Sequence, residues 1–555
     1  MSEKAPETNE IEKWAHESSK GSTGQVSIDS PPGDVVFEEY LHYAAIQRHE
    51  EGLGPDGSLK AADSLNKLCN DLSDYKGPNV NVDPTQKYPD IPMTREEDEL
   101  AAASRSMRLA SWASVFYLIT TDILGPFNAP YAIAAVGWMP GILLYFFMAV
   151  VAWYSSVILW RLFVRLDSLR YPLRSYSDIV ERIYGKKARM VSSFLQSLQL
   201  IVVVGANCLS NGQAFSQVTS RKVCFSVCIV IWTIIGMIIS QIRSLKNYGW
   251  VANSAVWINI LIICTSMGFV AHSPPNFEAA QKSLGVPFGP VMTQVKASQP
   301  LPAQVTGIMN MVFAYGGSMI FPEMMAEMRR PMDFWKGMTL AQLLIFCLYI
   351  LYGSFIYAFQ GQFSLPLAYQ GVSKFSWQTV GNVLSLLSLT IATGLYGNIG
   401  TKDYLKGPPL MTRKGHFIWS GLVILYWSIA FVIGSAIPQV QTIIGLIASV
   451  AIMQFTYTFP PLLRFGYDVI TDAMVADKPF IPGKGAASRI DGWNQVSRWK
   501  RGVFGGRVYF KLFNLILGLA GLAMACLGMW GSGKQIKLIF DTAGSATSFG
   551  CVSPV

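Results

Sequence analysis

The residues with the clearest chemical potential lie inside apolar runs of the chain. Asp122 and Glu323 are acidic groups in stretches otherwise long enough to cross a bilayer. An ionisable group in such a place costs at least about 2.5 kcal/mol on insertion scales and points to function by default. Asp122 falls about 13 residues into its run, which is roughly 20 Å along a helix. Burial disfavours a charged carboxylate, so Asp122 is a candidate carrier of a coupling proton. Its competing role is a cap that accepts hydrogen bonds from N–H groups freed at a helix break. Glu323 is the second proton-coupling candidate, with pairing to a basic residue at an inner gate as its alternative. Glu327 reads as an ion-pair residue at the membrane boundary.

Both acids lie near sequence that interrupts a helix. The first interruption is Asp122-Ile123-Leu124-Gly125-Pro126-Phe127-Asn128-Ala129-Pro130, and the second is Phe313-Ala314-Tyr315-Gly316-Gly317-Ser318. Non-helical backbone survives in hydrocarbon only where protein encloses it or it lines a cavity. Paired interruptions at corresponding points of two halves are the best sequence pointer to the binding site of a secondary transporter. A half-helix that restarts offers free N–H groups and a positive dipole end, which suit a carboxylate. One that stops offers free carbonyls, which suit an ammonium group or a cation. The candidate substrate-binding residues are therefore Leu124, Gly125, Pro126, Phe127 and Asn128 at the first break, and Tyr315, Gly316, Gly317 and Ser318 at the second. Phe127, Phe313 and Tyr315 are expected to shape a side-chain pocket. The bland alternative is that these glycines and prolines only permit kinks and close helix packing.

The elements that position these groups follow from composition. Of 555 residues, 51% are hydrophobic and 14% charged, against about 25% charged in an ordinary soluble domain. The expected fold is an all-α polytopic membrane protein. Runs near the roughly 20 residues needed to span fall at about 109–136, 139–163, 190–215, 223–242, 249–271, 304–327, 337–360, 376–397, 416–437, 440–463 and 508–530, eleven in all. The net charge of +9 is concentrated in alternate loops, including Arg161 to Arg189 after span two, Arg329 to Lys336 after span six, Lys402 to Lys414 after span eight and Lys478 to Arg501 after span ten. By the positive-inside rule the amino terminus and these loops are cytoplasmic and the carboxyl tail is outside. The basic balance is topology, so no nucleic-acid partner is expected. The expected organisation is a disordered cytoplasmic tail over 1–105, a transmembrane domain over 106–530 and a short extracellular tail over 531–555. Within the first tail, residues 37–45 are a short helix candidate for docking on the membrane domain. The first residues carry no cleavable signal pattern.

Eight cysteines show neither a disulfide framework nor metal spacing, and Cys224 and Cys228 read as packing residues. No cofactor or metal is implied. Gln196, Gln199, Asn207, Ser210 and Asn211 share about a third of the third span's circumference, and Asn207 joins the candidate binding residues. Asn382, Ser385, Thr393 and Tyr396 form a similar stripe on span eight. Interhelical hydrogen bonding is the plain explanation for both stripes.

Spans one to five and six to ten superpose in order, each set opening with its interrupted member, as an inverted repeat would. Gly125, Pro130-Tyr131-Ala132 and Gly137-Trp138, then Phe313-Ala314-Tyr315-Gly316-Gly317, Phe321-Pro322-Glu323 and Met328-Arg329-Arg330-Pro331, resemble the amino acid/auxin permease family, most of all its fungal neutral amino acid permeases. The resemblance covers about residues 105–530, with Ile123 standing where the family pattern Gly-x-Gly has its first glycine. It implies the leucine-transporter fold, with five-plus-five inverted repeats and one extra helix. It also implies substrate held at the two breaks, span three beside the substrate, and span eight beside a cation site in sodium-coupled members; Thr390 and Thr393 leave sodium open. The expected function is secondary active import of a neutral amino acid across the plasma membrane, coupled to protons. Three alternatives stand beside it: an amino acid sensor with the same fold, a sodium-coupled carrier and a vacuolar transporter. No His-Glu-x-x-His pair, nucleophile elbow or phosphate loop supports an enzyme. The substrate, the coupling ion and the lipid bilayer are the expected partners, and the oligomeric state is left open.

Overall fold

Prolines at the breaks, Pro126 and Pro130 in the first span and Pro322 in the sixth, help decide where these spans stop being α-helical. Proline removes an N–H and its ring clashes with the carbonyl four residues earlier. In the computed structural model, which describes residues 35–52, 108, 110–123, 125–241, 248–404, 413–437, 439–478, 489–541 and 548–553, helix α2 (Trp112–Ile123) ends just before Gly125. A 3-10 turn at Pro126–Asn128 follows, and α3 (Ala129–Val136) restarts with Pro130 in its first turn, where no donor is needed. The sixth span repeats this plan with α10 (Leu301–Phe313), a 3-10 segment Gly316–Ile320 and α11 (Phe321–Ala326), which carries Pro322 in its first turn. Leu124 lies outside the described residues.

The described residues are helical, with only two isolated bridges, Ala110–Met328 and Pro275–Val372. The remaining long elements are α4 (Trp138–Leu166), α6 (Lys186–Val218), α7 (Phe225–Ile239), α8 (Tyr248–Ala271), α12 (Phe334–Gln360), α13 (Phe375–Tyr404) and α14 (Arg413–Ala436). The tenth span joins α15 (Val440–Ile447) to α16 (Phe459–Met474) through π segments, and α18 (Val508–Asp541) closes the chain of long helices. Shorter helices lie in connections: α5 (Tyr176–Tyr184), α9 (Phe277–Leu284) and α17 (Val496–Phe504). Among the described residues, seven helical stretches are long and apolar enough to cross a membrane, the tenth span with its π segments among them. Exposed Leu143, Phe146, Phe147 and Val150 on α4, and Leu512, Phe513 and Ile516 on α18, form apolar outer faces, which in a protein of this class meet lipid.

Packing repeats across the two halves. The fifth span (α8) packs on α2 of the first, and the tenth packs on α10 of the sixth. The seventh (α12) lies along α2 and α3, and the second (α4) along α10 and α11. The third (α6) packs on α14 and the eighth (α13) on α7, while α6 and α13 pack on each other at the centre. These paired contacts relate the two halves in the way an inverted repeat does. The broken spans themselves run antiparallel. Ala110 pairs with Met328 at one end, Asn128 meets Asn310 in the middle, and a methyl on Gly307 would come within 2.5 Å of the Ala135 Cβ near the other end. Glycine is required at that last contact, because any side chain would force α3 and α10 apart.

The amino-terminal helix α1 (Phe37–Gly52) forms where its composition alone would not sustain a fold. This helix buries apolar surface against the rest of the chain: Phe37, Leu41 and Ala44 are buried, with the Phe37 ring edge-on to Tyr467 of α16. Residues 1–34 and 53–105 of the expected disordered tail lie outside the described residues.

One expectation is overturned. Cys224, at the start of α7, is disulfide-bonded to Cys551 in the carboxyl tail, with Cα atoms 4.3 Å apart. The two cysteines are 327 residues apart in sequence, so no local spacing announces the pair; only the folded helices bring them together. The tail is also held by backbone and hydroxyl groups. Phe225 N–H donates to the Cys551 carbonyl (3.1 Å), Ser226 Oγ to the Gly550 carbonyl (2.8 Å) and Ser548 Oγ to the Ala436 carbonyl (2.6 Å). Cys228 does behave as a buried packing residue.

Candidate functional site

The two breaks open onto one cavity of about 140 Å³. Gly125, Phe127 and Asn128 line it from the first break, with Thr121 a turn earlier, and Phe313, Gly316, Gly317 and Met319 line it from the second. The third span adds Gln199, Asn207 and Ser210, and the eighth adds Ser388, Ala392 and Tyr396. Tyr349 of α12, Tyr369 of the following loop, and Ile444 and Ile452 of the tenth span complete most of the wall. Among the described lining residues none carries a charged side chain.

Polar groups of this wall are held from behind. The Asn128 Nδ2 donates to Asn310 Oδ1 (3.3 Å), while the Asn310 amide donates to the Thr306 carbonyl (2.8 Å) and reaches the Gln441 carbonyl (3.4 Å). Ser388 Oγ donates to Asn259 Oδ1 (2.5 Å), and Ser385 Oγ to the Tyr369 hydroxyl (2.6 Å). The Phe127 ring packs edge-on against Tyr352 and Tyr369. Two acceptors at the wall, Asn128 Oδ1 and Gln199 Oε1, are buried and have no hydrogen-bond partner among the described residues. Buried acceptors left unmade cost about 1–3 kcal/mol each, a cost that a ligand with N–H donors would offset.

Of the candidate binding residues, the structure brings Gly125, Phe127, Asn128, Asn207, Phe313, Gly316 and Gly317 together around the cavity. Pro126, Tyr315 and Ser318 stand behind the wall. Pro126 is buried in the 3-10 turn, the Tyr315 hydroxyl donates to the Tyr145 carbonyl (3.3 Å), and Ser318 Oγ lies 3.4 Å from Ser156 Oγ. Tyr315 therefore packs on Tyr145 and Tyr349 instead of shaping the pocket directly. Asp122 belongs to the last turn of α2, and its side chain lies outside the described residues. Glu323 is not in the cavity wall; its Oε1 accepts from Gln196 Nε2 of the third span (2.9 Å). The alternative of a basic partner at an inner gate is thus not the contact seen at this oxygen.

Sequence reasoning singled out neither Tyr349 nor Tyr369, nor Asn259, Ile444 and Ile452. Tyrosines and isoleucines in apolar helices look like packing residues, and only the fold separates the few that face a cavity. Gln199, Ser210 and Tyr396 were visible as members of polar stripes but not as cavity residues.

Residues 108–467 match the family model described as transmembrane amino acid transporter protein. The chain belongs to that family. The transporter is 23% identical over 362 residues to an N amino acid transport system protein of Neurospora crassa, a match covering 63% of this chain and 75% of that one. It is 21% identical over 467 residues to a transmembrane transporter of Gibberella moniliformis, covering 80% and 88%. Among solved structures, Mhp1, a nucleobase-cation-symport-1 family transporter in a closed conformation with bromovinylhydantoin bound, matches with a TM-score of 0.42 and 13% identity over 78% of this chain and 94% of that one. The transporter is thus an integral multi-pass membrane protein of an amino acid transport family.

Proposed function

We propose that the protein imports neutral amino acids by proton symport, through alternating access around its two broken spans, with eleven spans crossing the membrane. That number adds the two interrupted spans, α7 and α13 to the seven helices that are long and apolar enough by themselves. The observation that carries the reading is the cavity between the breaks, uncharged along its described wall, with the unpaired acceptors Asn128 Oδ1 and Gln199 Oε1. An ammonium group has three donors and no acceptor, and charged hydrogen bonds contribute about 1.5–3 kcal/mol each. The carboxylate of the same zwitterion is served by free N–H groups where a half-helix restarts. A substrate with a charged side chain would bury that charge without a partner, which is costly.

Two further observations support a cytoplasmic amino terminus. Arg182, Arg489, Arg498 and Arg501 gather on the face that holds α1, and the Cys224–Cys551 disulfide lies at the start of the fourth span, one crossing away from that face's connection between spans two and three. Basic loops stay inside, and disulfides persist in oxidising compartments. The plasma membrane as the site of action rests on the resemblance to fungal permeases. The proton-coupling role falls to Asp122, a turn before the first break, with Glu323 and its partner Gln196 on the path to the cytoplasm.

Uptake of labelled neutral, aromatic and charged amino acids into cells lacking their own permeases tests the reading. Accumulation that collapses with a protonophore supports proton symport. Flux that is lost only on sodium replacement reassigns the ion. Absence of flux with surface delivery and ligand binding intact overturns transport in favour of sensing.

A further inference from the structure

The tenth span reaches the cavity through an irregular stretch. Between α15 and α16 the chain passes through π segments Ala448–Ile452 and Gln454–Thr458, all within one buried span. Single π turns inside α-helices concentrate at functional sites because the wider turn alters which side chains face inward and frees backbone groups. The freed groups here have partners: Thr458 Oγ1 donates to the Met453 carbonyl (3.2 Å), and the Tyr176 hydroxyl of α5 to the Phe455 carbonyl (3.3 Å). The bulge is thus stabilised from within the span and from the connection between spans two and three.

At the cavity end of this stretch Ile452 lies directly over the second break. A methyl group added to Gly316 would come within 2.9 Å of the Ile452 Cγ2 and 3.2 Å of its Cδ1. Ile452 is 2% exposed and lines the cavity together with Gly316 and Gly317. A ligand held at the breaks is bounded by this isoleucine on the side of the second break. The cavity of about 140 Å³ is close to the roughly 150 Å³ that accepts a benzene ring in an engineered apolar site, so the wall contributed by Ile452 decides whether a larger group fits.

We propose that Ile452 is a specificity-determining residue that sets the upper size of the transported side chain, by closing the pocket against the Gly316 backbone. The inference rests on the amino acid transport reading above. Branched apolar bulk at this point favours small and medium neutral side chains and rejects the indole of tryptophan.

The test is uptake of labelled alanine, leucine, phenylalanine and tryptophan by the full-length wild type and by Ile452→Ala, Ile452→Val and Ile452→Phe in permease-deficient cells. The readout is the ratio of tryptophan to alanine uptake within each variant, in which differences in surface abundance cancel. Ile452→Ala is expected to raise that ratio about tenfold or more, the scale on which a methylene or two discriminates in an apolar pocket. Ile452→Val raises it less, and Ile452→Phe lowers it. Gly316→Ala is expected to depress all uptake, with Ile452→Ala restoring part of it, because alanine removes the Cγ2 and Cδ1 atoms that the added methyl would meet. Should Ile452→Ala fail to reach the surface, the valine and phenylalanine variants carry the test. An unchanged ratio in variants that transport overturns the role of Ile452. Absence of flux in the wild type is a different result, which overturns the transport reading itself.

Discussion

Asn128 and Asn310 join the two broken spans at mid-height, the Asn128 amide donating to the Asn310 Oδ1 at 3.3 Å while both residues are buried. Asn310 is also tied to its own helix through Thr306 and to the tenth span through Gln441, whereas Asn128 keeps an acceptor without a partner among the described residues at the cavity wall. The pair thus divides into a structural member and a member available to ligand.

That division predicts different defects from two similar changes. Asn310→Leu leaves the Asn128 amide only its 3.5 Å contact with the backbone carbonyl at 310 and removes the link to the tenth span, and is expected to lower stability by about 1–3 kcal/mol. Asn128→Ala leaves the other bonds of Asn310 in place. It should cost less stability but weaken neutral amino acid binding about tenfold, the value of one charged hydrogen bond of about 1.5 kcal/mol. Thermal melting of the purified protein and a binding isotherm separate the two. Equal effects of both variants on both measurements would refute the division.

Asp122 is placed in the last turn of α2, where coupling and capping remain distinct predictions. If it carries the proton, Asp122→Asn reduces pH-driven accumulation while exchange of internal for external substrate is retained, because exchange needs no net proton movement. An asparagine still accepts hydrogen bonds from freed N–H groups, so a pure cap would survive this substitution with both activities largely intact. Loss of accumulation and exchange together would assign Asp122 to the architecture of the break.

The amino-terminal helix offers a test in the soluble part of the molecule. Glu38 forms a bidentate pair with Arg489 (2.7 Å for each bond), and Arg48 shares the fully buried Asp167 carboxylate with Arg108, two residues before the first-span segment pairs with Met328. Burial holds the His42 imidazole below its ordinary value of 6.5, with Glu39 pulling the other way. The docked helix therefore binds fewer protons than the released one. Its docking is complete above about pH 6.5 and weakens as pH falls towards the lowered value. Hydrogen exchange across residues 37–48, corrected for intrinsic rates, should rise between about pH 7.5 and 5.5, and His42→Gln should flatten that dependence. Glu38→Ala is expected to increase exchange at every pH, since it leaves Arg489 half-buried without its partner.

Much of this arrangement was legible because it obeys local rules. Gly125-Pro126 and Gly316-Gly317 announce breaks through local backbone chemistry, and apolar length announces helices. The Gln196–Asn211 stripe also showed through its period. What stayed hidden depends on partners distant in sequence. Tyr315 reads as a pocket residue beside its glycines, yet packs on Tyr145 and Tyr349. Ile452 carries no local signal of its own, and only the fold places it, in a π segment, beside Gly316. The helix candidate at 37–45 was visible, but its docking depends on Asp167, Tyr467 and Arg489, which belong to other parts of the chain.

The Cys224–Cys551 bond turns orientation into a chemical measurement. A tail held by Cys551, by the Ser548 hydroxyl on the Ala436 carbonyl and by the Gly550 carbonyl on Ser226 must lie on the same face as the start of α7. If that face is outside, a membrane-impermeant maleimide added to intact cells labels neither cysteine before reduction, and labels Cys551 after a mild external reductant. Cys224→Ser should expose Cys551 to the reagent without any reductant. The other free cysteines do not confuse the assignment, because Cys551→Ser abolishes the reductant-dependent signal. Labelling that appears only after the cells are permeabilised would place the disulfide face inside, reversing the proposed topology. Labelling of Cys551 in unreduced wild type would instead show that the pair is not bonded, and would leave the tail held by its hydroxyl and carbonyl contacts alone.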